Sequence, residues 1–106
     1  MNLKYIHLTN GNYLGFISNN SLFSRDGIYL GWIDGNTVWD KNGQYRGQIS
    51  EINDVFYILK HKFSVNPIPR VPRAQPVAPT APVPISNRTP IIVPLPLMDG
   101  YDNTST

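Results

Sequence analysis

"DGIYLGWIDGNTVWD", residues 26–40, lies between two near-copies of its own first seven letters, "NGNYLGF" from Asn10 and "NGQYRGQ" from Asn42. At a period of sixteen, Asn10, Asp26 and Asn42 coincide, as do Gly11, Gly27 and Gly43; Tyr13, Tyr29 and Tyr45; Gly15, Gly31 and Gly47; and Ile17, Ile33 and Ile49. Such self-similarity marks a repeat of one small structural unit.

Each copy opens on Asn-Gly or Asp-Gly, a pair that tolerates positive φ and suits a tight type I′ hairpin turn. An alternating segment follows, and strict alternation places Tyr13, Gly15 and Ile17 on one face of a strand and Leu14 and Phe16 on the other. A second turn ("SNNS" at 18–21, "DGNT" at 34–37) then leads into a short apolar strand: "LF" at 22–23, "VW" at 38–39, "VFYIL" at 55–59. Each unit therefore reads as an antiparallel pair of strands. The glycine inside each "YxGxI" marks a bend or a close backbone approach, and three matched bends predict a sheet that curls on itself.

Shifting Leu22 and Phe23 back by sixteen lands on Ile6 and His7, so residues 1–9 read as an orphan second strand, with "KHKFSV" at 60–65 as its expected partner. Pairing the two ends would remove both open edges. The fold expected is all-β: a small closed antiparallel barrel of roughly four repeated two-stranded units, about eight short strands, with pseudo-four-fold symmetry. No apolar stripe of helical period survives more than one turn. Only one of the two partly apolar faces can line a ring, so the other must be covered or must bind something.

Composition divides the chain. All ten prolines lie between Pro67 and Pro96, and seven of the eight glycines precede residue 48, which separates a repeat domain at 1–64 from a proline-rich, extended or disordered tail at 65–106. A formal net charge of +2, spread evenly, gives no basic face for nucleic acid. No cysteine is present, which removes disulfides and thiolate chemistry. "MNLKYIHLTN" lacks the basic and then apolar run of a secretory signal, and "PIIVPLPLM" is too short and too broken by proline to span a bilayer. The expected location is cytoplasmic or peripheral to a membrane.

The phrases "NGNYLGFI", "DGIYLGWI" and "NGQYRGQI", with "VWD" at 38–40, resemble the four-fold β-flower proteins, small domains of repeated "GxYxGxI" followed by a proline-rich tail; "PLPLMDGY" at 94–101 is similar to that family's terminal signature, with Tyr101 where a tryptophan is more familiar. The resemblance implies a shallow symmetric barrel with an apolar central channel, similar in outline to Tubby-like and phospholipid-scramblase domains and, through them, an association with lipid or membrane surfaces. MORN repeats also use "GxYxGxW", but with a longer period and in an open ribbon.

Phe16, Trp32 and Trp39 are the candidate contacts for a lipid or apolar ligand, since an amphipathic indole is stable at a headgroup layer; the competing expectation is that they fill the core. The matched tyrosines read as packing against strand glycines. His7 and His61 are too few to make a zinc site without a third ligand, and no cofactor is implied. Nothing frames a nucleophile or cradles a phosphate, and Asp26, Asp34 and Asp40 read as turn residues, so the expectation is no enzyme. In the tail, Pro69 and Pro72, then Pro76, Pro79 and Pro82, recur every three residues along one edge of a polyproline II helix. With Arg70 and Arg73 beside it, that edge could engage a polyproline-binding partner or dock on the ring's own apolar face; otherwise it is a stiff spacer. "PTAP" at 79–82 matches a short sorting motif, and three Asn-x-Ser/Thr triplets are formal glycosylation acceptors of little weight without a signal.

Overall fold

Among the described residues eight strands form one sheet, and the first seven close into a ring. The computed structural model describes residues 3–61, 67–76, 82, 85–93 and 97–101. In chain order the strands are β1 (Lys4–His7), β2 (Tyr13–Ser18), β3 (Ser21–Ser24), β4 (Tyr29–Asp34), β5 (Thr37–Asp40), β6 (Tyr45–Ile52), β7 (Val55–His61) and β8 (Leu97–Asp99), with no helix among the described residues. Each pairs antiparallel with the next. The ring shuts where β1 meets β7, Ile6 opposite Phe56 and His7 opposite Tyr57. Seven strands running alternately up and down begin and end in the same direction, so this seam is parallel. Closure thus uses the third unit's own second strand, of which Lys60 and His61 are the end, and residues 62–65 of "KHKFSV" lie outside the described ones. β8 adds to the far part of β7, Leu59 opposite Asp99, so the sheet draws a strand from beyond the compositional break at 64.

Turn chemistry is exchanged relative to expectation. At the Asn-Gly and Asp-Gly sites only the glycine takes positive φ (Gly11 +93°, Gly27 +87°, Gly43 +84°). Each closes a three-residue loop, with Leu8 N–H donating to Asn12 O and Gly11 N–H to Leu8 O, and the same pair of bonds at Ser24/Ile28/Gly27 and Asp40/Gln44/Gly43. Ser24 Oγ accepts from the Asp26 and Ile28 N–H groups, and Asp40 Oδ1 from those of Asn42 and Gln44. Two successive positive angles, as a type I′ turn requires, occur instead at Asn19 and Asn20 (φ 51° and 62°) and at Asn53 and Asp54 (52° and 65°), whereas in the turn at 34–37 only Gly35 (64°) is positive.

Strict alternation also fails, for one repeated reason. Gly15 pairs with Ile6 while Tyr13 pairs with His7, leaving Leu14 as an extra residue; Leu30 and Arg46 are extra in the same way opposite β3 and β5. A bulge of this kind re-aims the strand on either side of it. Leu14 consequently joins Ile17 in the interior cluster, and Tyr29 joins Phe16 and Phe23 in a separate one. The faces sort as Leu14 with Ile17 inside and Tyr13 with Phe16 outside, correcting the alternation read from the sequence.

The interior is packed. Ile6, Leu22, Val38 and Ile58, one from each quarter of the ring, are at most 2% exposed and form its central layer. Leu14 and Leu30 lie toward the loop end, where Tyr101 joins them and brings its hydroxyl to the Leu30 carbonyl, 3.4 Å away. Burial raises the Tyr101 phenol's pKa well above its ordinary value. Arg46, the repeat-mate of Leu14 and Leu30, turns its guanidinium over the Tyr101 ring at 4.9 Å and pairs with Asp40 at 3.0 Å. Side chains thus fill the space in which the family resemblance implied an apolar channel.

Candidate functional site

Most of the large aromatic side chains of the repeated hairpins lie on the outer face, while Phe56 packs against the interior cluster. Phe16 is opposite Phe23 and Trp32 opposite Trp39, in equivalent hairpins. The phenyl rings stack 5.4 Å apart, Tyr29 meets Phe23 edge-on at 6.0 Å, Tyr45 meets Trp39 at 5.9 Å, and Tyr13 touches both His7 (5.6 Å) and Tyr5 (6.2 Å). This belt runs around the ring, yet Phe16, Trp32 and Trp39 are only 0, 2 and 4% exposed.

The proline-rich segment contributes to that cover. Arg70 N–H donates to Gly43 O at 2.8 Å, its guanidinium lies 4.6 Å over the Trp39 ring, and the same group pairs with Asp34. Arg73, one polyproline turn later, stands 5.0 Å over Trp32 and 4.0 Å from the same Asp34 oxygen. The two arginines thus clip onto one cross-strand pair of indoles, with a half-exposed carboxylate between them.

A second clip repeats the first. Arg88 N–H donates to Gly11 O at 2.7 Å, and Gly11 is the repeat-mate of Gly43. A β-carbon on either glycine would fall within 2 Å of a carbonyl oxygen of the segment, 1.9 Å from Arg88 O or 1.8 Å from Arg70 O. Both contacts therefore need the bare backbone there. Asn87 Oδ1 accepts from Tyr13 N–H (3.0 Å), Ser86 O lies 3.1 Å from His7 Nε2, and Ile91 N–H donates to Thr9 O (2.8 Å). Thr9 in turn donates from its hydroxyl to Asp99 at 2.7 Å. The sequence carries a cue for this pairing, since Arg70-Val71-Pro72 and Arg88-Thr89-Pro90 share one Arg-x-Pro pattern.

Of the prolines expected to present an edge, Pro69 and Pro72 are exposed, Pro76 and Pro82 half-buried, and Pro79 lies outside the described residues. The arginines, rather than those two exposed prolines, face the indoles. Asp34, read from sequence as a turn residue, is their counter-ion.

Beneath this cover, His7 Nδ1, Tyr13 OH, Trp32 Nε1 and Trp39 Nε1 are buried with no hydrogen-bond partner among the described residues. Burial pushes the Tyr13 phenol up to about 12 and pulls the His7 imidazole below its usual value, an effect to which nearby Arg88 adds. Among the described residues no group of three His, Cys, Asp or Glu side chains is placed to hold a metal. At the turn end of the ring a depression of about 350 Å³ is lined by the matched Ile17, Ile33 and Ile49, with Lys4, Asn19, Asn20 and Asn36 at its rim. Among the described residues no helix is long and apolar enough to cross a membrane.

A packed ring of short repeated β-hairpins, with described residues of its downstream segment laid against its outer face, defines a repeat-built small barrel. The family model described as 4-fold beta flower protein matches residues 1–97, and the chain belongs to that family. Comparison with curated proteins and with solved structures returns no match.

Proposed function

We propose that this is a non-enzymatic binding module whose outer aromatic face takes an extended, proline-rich segment bearing arginine, and that residues 67–76 occupy that face in cis. The observation that carries this reading is the double stack of Arg70 on Trp39 and Arg73 on Trp32 around Asp34. Three features suit recognition of a peptide in polyproline II form: arginines three residues apart, aromatic rings spaced to meet them, and a carbonyl acceptor at Gly43. The packed interior suits a rigid scaffold for that face.

The test uses the full chain and its Arg70→Ala/Arg73→Ala variant, with a fluorescent peptide copying residues 67–76. The variant should bind the peptide saturably and the parent less, because its own segment competes at high effective concentration. A peptide with both arginines changed to alanine should bind neither. If neither protein binds the native peptide, the reading fails.

A second reading, capture of a lipid or another apolar ligand, is favoured by the depression at Ile17, Ile33 and Ile49. Under it Trp32 and Trp39 contribute only after Arg73 and Arg70 have moved off them, and Phe16 only if its own buried cluster opens.

A further inference from the structure

The cover is not a complete ligand. Trp32 and Trp39 both end in an indole N–H that is buried and unpaired, although the segment lies directly over their rings. Buried donors in native proteins are nearly always satisfied, and leaving one unmade costs most of its desolvation. Here two such donors stand on neighbouring strands, on one cross-strand pair, beneath the same segment. The segment satisfies the charge of the face and not its donors. The contacts that reach the indole rings come from the Arg70 and Arg73 guanidinium groups, which have no acceptor to offer an N–H.

From this we infer that residues 67–76 are a displaceable placeholder, and that the face is built for a partner protein's proline-rich segment that carries two arginines three residues apart and turns backbone carbonyl oxygens toward the Trp32 and Trp39 N–H groups. The inference rests on the binding-module reading above. Asp34, shared by both arginines and about half-exposed, selects a cationic peptide and disfavours an anionic membrane. Gly43 O, which now accepts from Arg70 N–H, supplies the acceptor that sets the register of either occupant. A partner that pairs both donors gains roughly tenfold in affinity for each, about 1.4 kcal/mol apiece, enough to offset part of the advantage that tethering gives the cis segment.

The experiment follows the two indole N–H signals of the full chain, labelled with ¹⁵N at tryptophan, during titration with the peptide Pro-Pro-Pro-Arg-Pro-Pro-Arg-Pro-Pro-Pro. Expected are saturable binding, downfield movement and slower exchange of both indole protons, and a shift of the segment's own resonances toward free-chain positions. Binding to the Arg70→Ala/Arg73→Ala variant but not to the parent would leave the module reading intact and overturn displaceability. Binding to the parent with the indole signals unmoved would overturn the role of the donors. No binding to either protein would remove both readings. Vesicles containing phosphatidylserine serve as the comparison: indole shifts with vesicles and none with peptide would assign the face to lipid and overturn the partner proposed.

Discussion

Gly31 lies so close to the Trp39 backbone that a β-carbon on it would stand 1.9 Å from the Trp39 carbonyl oxygen. The register places Gly31 between Leu22 of β3, which faces the interior, and Asp40 of β5. Gly31→Ala must therefore move backbone rather than a pliant side chain. It should cost upwards of about 3 kcal/mol and lower Tm by roughly 10–20 °C in a domain this small. Gly35 is the control: nothing lies within 4 Å of its β-position, and only its φ of +64° resists a side chain. Gly35→Ala should cost roughly 1–2 kcal/mol. Equal losses for the two variants in thermal melts would contradict this account of the glycine bend.

Asp40 and Arg46 stand where the preceding unit has Ser24 and Leu30. Ser24 serves its loop without a charge, and Leu30 fills the core without a partner. Arg46→Leu alone strands the 5%-exposed Asp40 without its cation and should cost about 3 kcal/mol. Asp40→Ser alone leaves a partly exposed arginine that water can solvate, a smaller loss. The double variant reproduces the preceding unit's pairing, so urea melts should reveal a favourable coupling above about 1 kcal/mol. Simple additivity would show that the two sites are not one exchanged pair.

Asp34→Asn should loosen the clip of residues 70–73 without touching the ring. The pair it breaks is half-exposed, so about 0.5–1 kcal/mol is at stake. Trypsin cleavage after Arg70 and Arg73 should quicken a few-fold, provided the segment must lift before it is cut. An unchanged cleavage rate would mean that the carboxylate does not hold the segment down.

His7 predicts a slope on the acid side. Its folded pKa lies below the ordinary 6.5, chiefly through burial, with Arg88 adding and the Ser86 carbonyl opposing. The unfolded chain therefore takes up the proton first as pH falls. Stability contributed by neutral His7 is whole above about 6.5 and declines as pH drops from there toward the lower folded value. Replacement by the residue found at its repeat-mate Phe23, His7→Phe, should flatten urea midpoints measured between pH 8 and pH 5. A slope identical to the parent's would exclude His7 as its source. At the alkaline end the sign reverses: the Tyr13 phenol is raised from 10.0 to about 12, so its contribution holds below 10 and is lost between those values.

The rhythm of sixteen, the hairpins and the closed ring were legible because each is encoded locally, in glycines, turn residues and apolar pairs that recur at fixed offsets. The sorting of faces was not. Leu14, Leu30 and Arg46 look like ordinary members of an alternating strand, and only their pairing with β1, β3 and β5 shows that each is one residue too many. The aromatic belt was anticipated as residues but not as an outside surface, for the same reason. Arg70 and Arg73 stand out beside their prolines and Asp34 reads as a turn residue, but its pairing with them, like the use of the loop carbonyls of Gly11 and Gly43, joins distant segments and leaves no periodic trace. The repeated Arg-x-Pro was the available hint. Tyr101 could be matched by analogy, but its place beside Leu30 depends on β8 running alongside β7.

The parallel seam has a consequence for synthesis. Ile6 and Phe56 are partners across fifty residues (56 less 6), and β1 has no other neighbour on that side among the described strands. A ribosome releasing this chain from its N-terminus exposes β1 as a bare border until β7 emerges, the kind of unpaired margin through which nascent chains stick to one another. Assembly cannot advance hairpin by hairpin to a finished product, as an open solenoid's can; the circle becomes whole in one late event, and a chain halted before Phe56 retains every hairpin made so far and still lacks its closing seam.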